Sequence, residues 1–266
     1  MIQPSPPRPG GSQWILAFLI GFSLVAFISL ISLVQVTSSS AGSRLLANTV
    51  AMIADIDAAL PGIETSLRES AEQGAQDPIT VPNFPIPVQI ARDEALTITG
   101  VDLRDRILTT SGDALYNDGV SVWANADSDA RQQIGRRSTA GAVRLGIGLV
   151  GDTQHTVFLV LAVVAGLATL VFAATLAMQL STLRRLVTLG AIVTASAVPA
   201  LLVALLVRVA LPSLGGGQFT DDLVDIAVDA ESVAVRNFLI VSLLGFAVGA
   251  AGFAGMSMDT RAEQAA

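Results

Sequence analysis

The chain has 266 residues, 52% of them hydrophobic, with a mean hydropathy of +0.64 and a net charge of −7. It contains no cysteine, which excludes disulfides, thiol catalysis and cysteine-ligated metals. All fifteen basic residues are Arg, a bias that fits a high-GC bacterial coding sequence.

The charges avoid four stretches. Trp14–Val36, Val157–Leu180, Leu186–Leu211 and Phe238–Met256 are apolar runs, and only the third holds a charge, Arg208. A helix needs roughly 20 such residues to cross the hydrocarbon core of a bilayer. The expected fold is therefore an all-α integral membrane protein with four transmembrane helices. A mostly helical outer domain, with one or two short strands, should lie between the first and second spans. The expected order is tail 1–13, span 14–36, outer domain 37–156, span 157–180, turn 181–185, span 186–211, acidic outer segment 212–237, span 238–256 and tail 257–266. The first run exceeds the apolar core of a cleaved signal, about 7–15 residues, and is read as an uncleaved anchor. Small residues at Ser38–Ala41 would still suit a peptidase.

Orientation follows from the Arg184–Arg185 pair in the short turn, where positive charge marks the cytoplasmic side. The segment after the third span carries Asp221, Asp222, Asp225, Asp229 and Glu231 with no base up to Val235. Both termini are thus expected in the cytoplasm of a plasma-membrane, multi-pass protein.

Within 37–156, Leu46, Val50, Ile53, Ile56, Leu60, Ile63 and Leu67 recur at helical steps and predict a helix with a core-facing stripe, kinked or restarted at Pro61–Gly62. A coiled-coil seam is the less favoured reading of the same stripe. Prolines 78, 82, 85 and 87 impose extended chain, and Val88, Ile90, Leu96 and Ile98 fit strands. Asp102 reads as a helix N-cap, with Leu103, Ile107, Leu108, Ala114 and Leu115 on one face and Gly119 as the terminator. A further helix is expected from Asp127 to Val150, bearing Arg131, Arg136, Arg137 and Arg144.

In the spans, Gly245, Gly249 and Gly252, Ala162 and Gly166, and Ala191 and Ala195 form small-residue faces suited to close helix approach. Pro199 should kink the third span, with Thr194 or Ser196 satisfying the freed carbonyl.

Six residues are candidate site residues. Asp152 and His155 would share a helix face, a pH-responsive or metal-touching pair, although two ligands do not make a zinc site. Arg208 is an interfacial anchor or the partner of Asp221, Asp222 or Asp225. Asp222, Asp225 and Asp229 make a carboxylate stripe that is either a cation site or a solvated helix face. No catalytic, cofactor-binding or metal-ligating residue is assigned, and no cofactor is expected. One histidine cannot build a His-Glu-x-x-His peptidase, and no Gly-x-Ser-x-Gly turn serves a hydrolase.

The expected function is non-enzymatic: an outer domain that binds a partner, senses a condition or supports envelope assembly. The alternatives are a transporter or channel subunit, and an enzyme with its site around Asp113, Tyr116 and Asp118. The expected partners are the lipid bilayer, a protein bound through the outer domain and further copies of the chain, with no nucleic acid.

Overall fold

The computed structural model describes residues 11–74, 77–82, 84–119, 121–124, 150–214 and 218–265, with backbone alone at 52, 53, 123, 124, 214, 218–223, 225, 226 and 259–265. The stretch 127–149, where a helix with four arginines is expected, lies outside the described residues. The chain is mostly helical and divides into two compact units, Gln35–Val157 and the remainder.

The Gln35–Val157 unit buries apolar side chains in a core of its own. Helices α2 (Ser39–Ala54) and α3 (Ile56–Glu72) present Leu46, Val50, Ile56, Ile63 and Leu67 inward, as the stripe predicts. The break between them is not at Pro61. Asp55 adopts φ 47°, ψ 51°, and the two helices bend by 87° there, while Pro61 sits inside α3 without interrupting it. Pro61 is the sixth residue of α3, so the donor it lacks leaves the Asp57 carbonyl without its helical partner, yet the helix runs on.

The proline-rich stretch forms a minimal hairpin. Strand β1 (Ile79–Thr80) pairs antiparallel with β2 (Gln89–Ile90), with Ile79 opposite Ile90, and the Val81 N–H donates to Val88 O at 2.8 Å. Proline has no N–H to extend the ladder, and the prolines of the connection leave the pairing short. Leu96 and Ile98 are not strand residues. Arg92–Thr97 forms helix α4, whose first turn carries Asp93 and Glu94 in favourable register with the helix dipole. Asp77 accepts the Arg92 N–H at 3.1 Å, and the Arg92 side chain donates to Ala71 O at 2.8 Å.

Helix α5 (Gly100–Asp118) is preceded by Thr99 as N-cap, so Asp102 lies in its first turn and does not cap it. Leu103, Ile107, Leu108 and Leu115 are buried as expected, and the helix stops at Gly119, whose φ of 61° is open to glycine. Asp57 pairs with Arg104 at 2.7 Å and holds that guanidinium protonated above its ordinary range, chiefly by the hydrogen bond. Helix α5 packs on α2 through Gly112, where an added Cβ would strike the Ser43 carbonyl. A short helix α6 (Ser121–Ala124) follows.

Among the described residues, four helices are long and apolar enough to cross a membrane: α1 (Gly11–Val36), α7 (Asp152–Met178), α8 (Thr182–Ala210) and α9 (Gln218–Ala265). Many of their apolar side chains, Trp14, Phe18 and Phe22 on α1 among them, are exposed. Such an arrangement fits a multi-pass membrane protein in lipid. A 3₁₀ turn, Leu211–Leu214, closes α8. The acidic stretch after it is not a separate helix lying over the third span. It is the first part of α9, which runs unbroken because no Gly or Pro occurs between Gln218 and Leu244.

Helices α8 and α9 meet at backbone contact. Gly245 lies against Val193 and Thr194, Gly252 against Leu186 and Val187, and Gly255 against Leu183. At the crossing, a Cβ on Gly190 would sit 2.6 Å from Gly249 Cα, whereas one on Gly249 would find only ordinary contacts at 3.7 Å. The face of α8 that does this is Gly190, Ala197 and Ala204, all buried, and not Ala191 and Ala195, which are exposed. Gly166 on α7 receives the Phe27 ring, and Ala162 is buried. Helix α8 continues through Pro199, and Thr194 donates to Gly190 O at 2.9 Å, one turn short of the carbonyl that Pro199 frees.

The asymmetry of the crossing makes a prediction. Gly190→Ala should destabilise the full chain in detergent by about 1–3 kcal/mol, the usual cost of overpacking. Gly249→Ala should be close to neutral. Equal melting temperatures for the two variants would show that these helices do not meet here.

Candidate functional site

The sequence candidates distribute over two places. The first is where the chain enters and leaves the Gln35–Val157 unit. After Val36 come Thr37 and three serines, whose hydroxyls compete with helical hydrogen bonding. Ser38 Oγ donates to Gln35 O at 2.9 Å, and helix α2 restarts with the Gly42 N–H on Ser38 O. The carbonyl of Thr37 falls at this break between helices. Tyr116, the only tyrosine, serves it: the phenol donates to Thr37 O at 2.9 Å in a buried environment.

Tyr116 can lie there because position 42 is glycine. A Cβ on Gly42 would come 2.8 Å from the Tyr116 ring. The Thr37 hydroxyl, in turn, lies 3.4 Å from Nδ1 of His155, the only histidine, on the first turn of α7. With the ring proton on Nε2, the hydroxyl donates to Nδ1. The His155 backbone N–H is held by Gly151 O at 2.9 Å. Burial raises the Tyr116 phenol above its ordinary range, and the nearby Asp152 carboxylate raises it further. The structure thus brings Asp152 and His155 to one place, but through Tyr116 and Thr37 and not as a mutual pair. Among the described residues, no three His, Asp or Glu side chains group as a metal site. Asp113 and Asp118 are exposed while Tyr116 is buried, so these three do not converge.

The second place is the α8–α9 seam. Arg208 is half-buried in the last turn of α8 and Glu231 of α9 is half-buried as well, and no ion pair within 4.0 Å joins the two. Glu231 falls inside the apolar helix stretch Ala227–Met258. Asp229 is exposed, its carbonyl taken by Ser232 Oγ at 2.6 Å. The side chains of Asp221, Asp222 and Asp225 lie outside the described residues. Polar groups also join the spans. Ser23 and Thr169 hydroxyls meet at 2.9 Å, and Asn237 Nδ2 donates to Ser32 Oγ at 2.9 Å.

No protein-family model, no curated protein and no solved structure matches this chain.

Thr37 and Glu231 are the residues that sequence reasoning passed over. Thr37 is legible only as the first polar residue after an apolar run, and Glu231 is hidden when the fourth span is taken to start at Phe238.

The Tyr116 contact can be tested by pH. A phenol whose value is raised in the fold contributes stability that is whole below the ordinary tyrosine range, near pH 10, and lost as pH rises through the folded value. Tyr116→Phe should cost about 1–3 kcal/mol at neutral pH, because the buried Thr37 carbonyl loses this donor. The melting-temperature gap between variant and wild type should close in alkali. A gap that stays constant with pH would assign the effect to packing alone.

Proposed function

We propose that this is a non-enzymatic multi-pass protein of a bacterial plasma membrane, with both termini in the cytoplasm, whose Gln35–Val157 unit stands outside and binds a protein partner. The observation that carries this reading is the surface of the unit. Val157 aside, which already belongs to the apolar stretch of α7, its described residues keep their large apolar side chains from full exposure except at one corner. There Leu96 ends α4 and Val101 begins α5, both exposed. The unit has a core of its own, and the exposed side chains at this corner are not part of it. Ion pairs Arg106–Glu94 at 3.2 Å and Arg104–Asp57 flank it and suit the polar rim of a contact surface.

The polar cluster at the unit's chain ends supports a structural role over chemistry. Thr37 and His155 have the elements of a nucleophile and a base, but Thr37 is 2% exposed and no substrate carbonyl can reach it. A second reading, a transporter or channel subunit, is favoured by the polar pairs between spans and by Glu231 within an apolar helix. Solute flux in liposomes carrying the purified chain would select it.

Two experiments test the first reading. Because the chain has no cysteine, Val101→Cys and Ser181→Cys, both at exposed positions, report sidedness directly. An impermeant thiol reagent should label Val101→Cys in intact cells and reach Ser181→Cys only after lysis. The reverse pattern would invert the topology. Separately, a photo-crosslinking residue at Val101 should give one discrete adduct with another protein in native membranes, and Leu96→Asp should abolish it. Crosslinking to lipid alone, or an adduct indifferent to Leu96→Asp, would remove this corner as a partner site.

A further inference from the structure

Three spans meet at one level of the bundle. Ile28 of α1, Ala197 of α8 and Phe238 of α9 share a buried cluster, with Leu24, Ala200 and Val241 packed against it. Ser242 lies one turn beyond Phe238 on α9 and is 7% exposed. Its Oγ has no hydrogen-bond partner, alone in this among the buried side-chain polar atoms of the described residues. Other span hydroxyls are satisfied within their own helices. Ser23, Ser32, Thr169 and Thr194 donate to the carbonyls of Leu19, Ile28, Ala165 and Gly190, each one turn back.

The register of α9 on α8 shows what Ser242 faces. Val187 meets Gly252, Gly190 meets Gly249 and Thr194 meets Gly245, so each step along α8 matches an equal step back along α9. Three residues further, Ala197 stands opposite Ser242. Beside Ala197 is Ser196, whose hydroxyl lies against Gly21 of α1, where a Cβ would strike it. That hydroxyl makes no hydrogen bond among the described residues either. Gly21 is three residues before Leu24 of the shared cluster. Two unsatisfied hydroxyls, one from α8 and one from α9, thus come to the same level beside α1.

We propose that Ser242 and Ser196 hold a water molecule between α1, α8 and α9. In hydrocarbon an unsatisfied hydroxyl is costly, and lipid offers it no partner. A water donates to one hydroxyl and accepts from the other, and it is the smallest ligand able to do both. A neutral ligand is also what the surroundings admit. Helix α1 carries no charge, and the nearest charges on α8 are Arg185 and Arg208, eleven residues before Ser196 and twelve after it. On α9 the nearest is Arg236, six residues before Ser242 and exposed. The water ties α1 to the α8–α9 pair at this level, as the direct bond of Asn237 to Ser32 does nearer the other end of α1.

The test uses the full chain in lipid, with water itself as the probe. In water-edited solid-state NMR of serine-labelled protein, magnetisation should pass rapidly from water to the Ser242 Cβ signal, assigned by its loss in Ser242→Ala. Transfer to Ser23, equally buried but bonded within its helix, should be much slower. Ser242→Ala and Ser196→Ala should each lower the melting temperature by about 2–4 °C, the shift expected for one net hydrogen bond in a chain of about this size. The double variant should melt no lower than either single one, because one water serves both hydroxyls. Transfer to Ser242 no faster than to Ser23 overturns the proposal. So does a Ser242→Ala variant as stable as wild type or more so, which would mark a hydroxyl with no ligand, and so do losses that simply add.

Discussion

In hydrocarbon, apolar side chains gain almost nothing by leaving lipid for one another, so helices associate only where backbones can come close enough for dense van der Waals contact. That constraint governs the bundle. The chain meets it at Gly190, which has no Cβ to hold the Gly249 backbone away. From that crossing the spacing of Gly245, Gly252 and Gly255 sets the register of α9 on α8. Helix α1 joins by a different device, hydroxyl and amide groups that meet those of its neighbours: Ser23 with Thr169 and Ser32 with Asn237. Each such bond is worth about 0.6 kcal/mol in a membrane, so together they add orientation more than strength.

The Gln35–Val157 unit is packed differently. Leu, Ile, Val and Phe side chains are buried around α2, α3, α5 and the proline hairpin, and in water each would be worth about 1.5–3 kcal/mol. Where the chain passes from the first apolar helix into this unit, a carbonyl must be satisfied, and Tyr116 does so from within the unit's core. The same residue is made possible by Gly42, so a glycine, a tyrosine and a threonine act as one joint.

What could be read in the sequence tracks the range of the forces involved. The four apolar helices, the Leu46–Leu67 stripe and the Gly119 stop are each encoded by residues within a few turns, and they lie where periodicity and composition put them. The bend at Asp55 was not legible. Asp is among the residues that tolerate a left-handed φ, but nothing beside Asp55 marks it out, whereas Pro61 advertises a break that α3 does not make. Leu96 and Ile98 look like strand residues until Asp77, distant in sequence, caps the turn that holds them. Ala191 and Ala195 make a plausible face, yet Gly190 beside them sets the helix rotation. The candidate residues were less legible than the elements: His155 stands out in the sequence, but its partner Thr37 comes from the far end of the unit, and nothing around Arg208 in the sequence marks Glu231 as half-buried.

Helix α9 is unusual in scale. Its 48 residues make a rod about 72 Å long at 1.5 Å per residue, more than twice the roughly 30 Å of bilayer hydrocarbon. Tilting cannot conceal such a length, so tens of ångströms of it must stand clear of the lipid. The contacts with α8 run from Gly255 back to Phe238, so the part of the rod left without that support is its acidic start, whose carboxylates are suited to water and not to hydrocarbon.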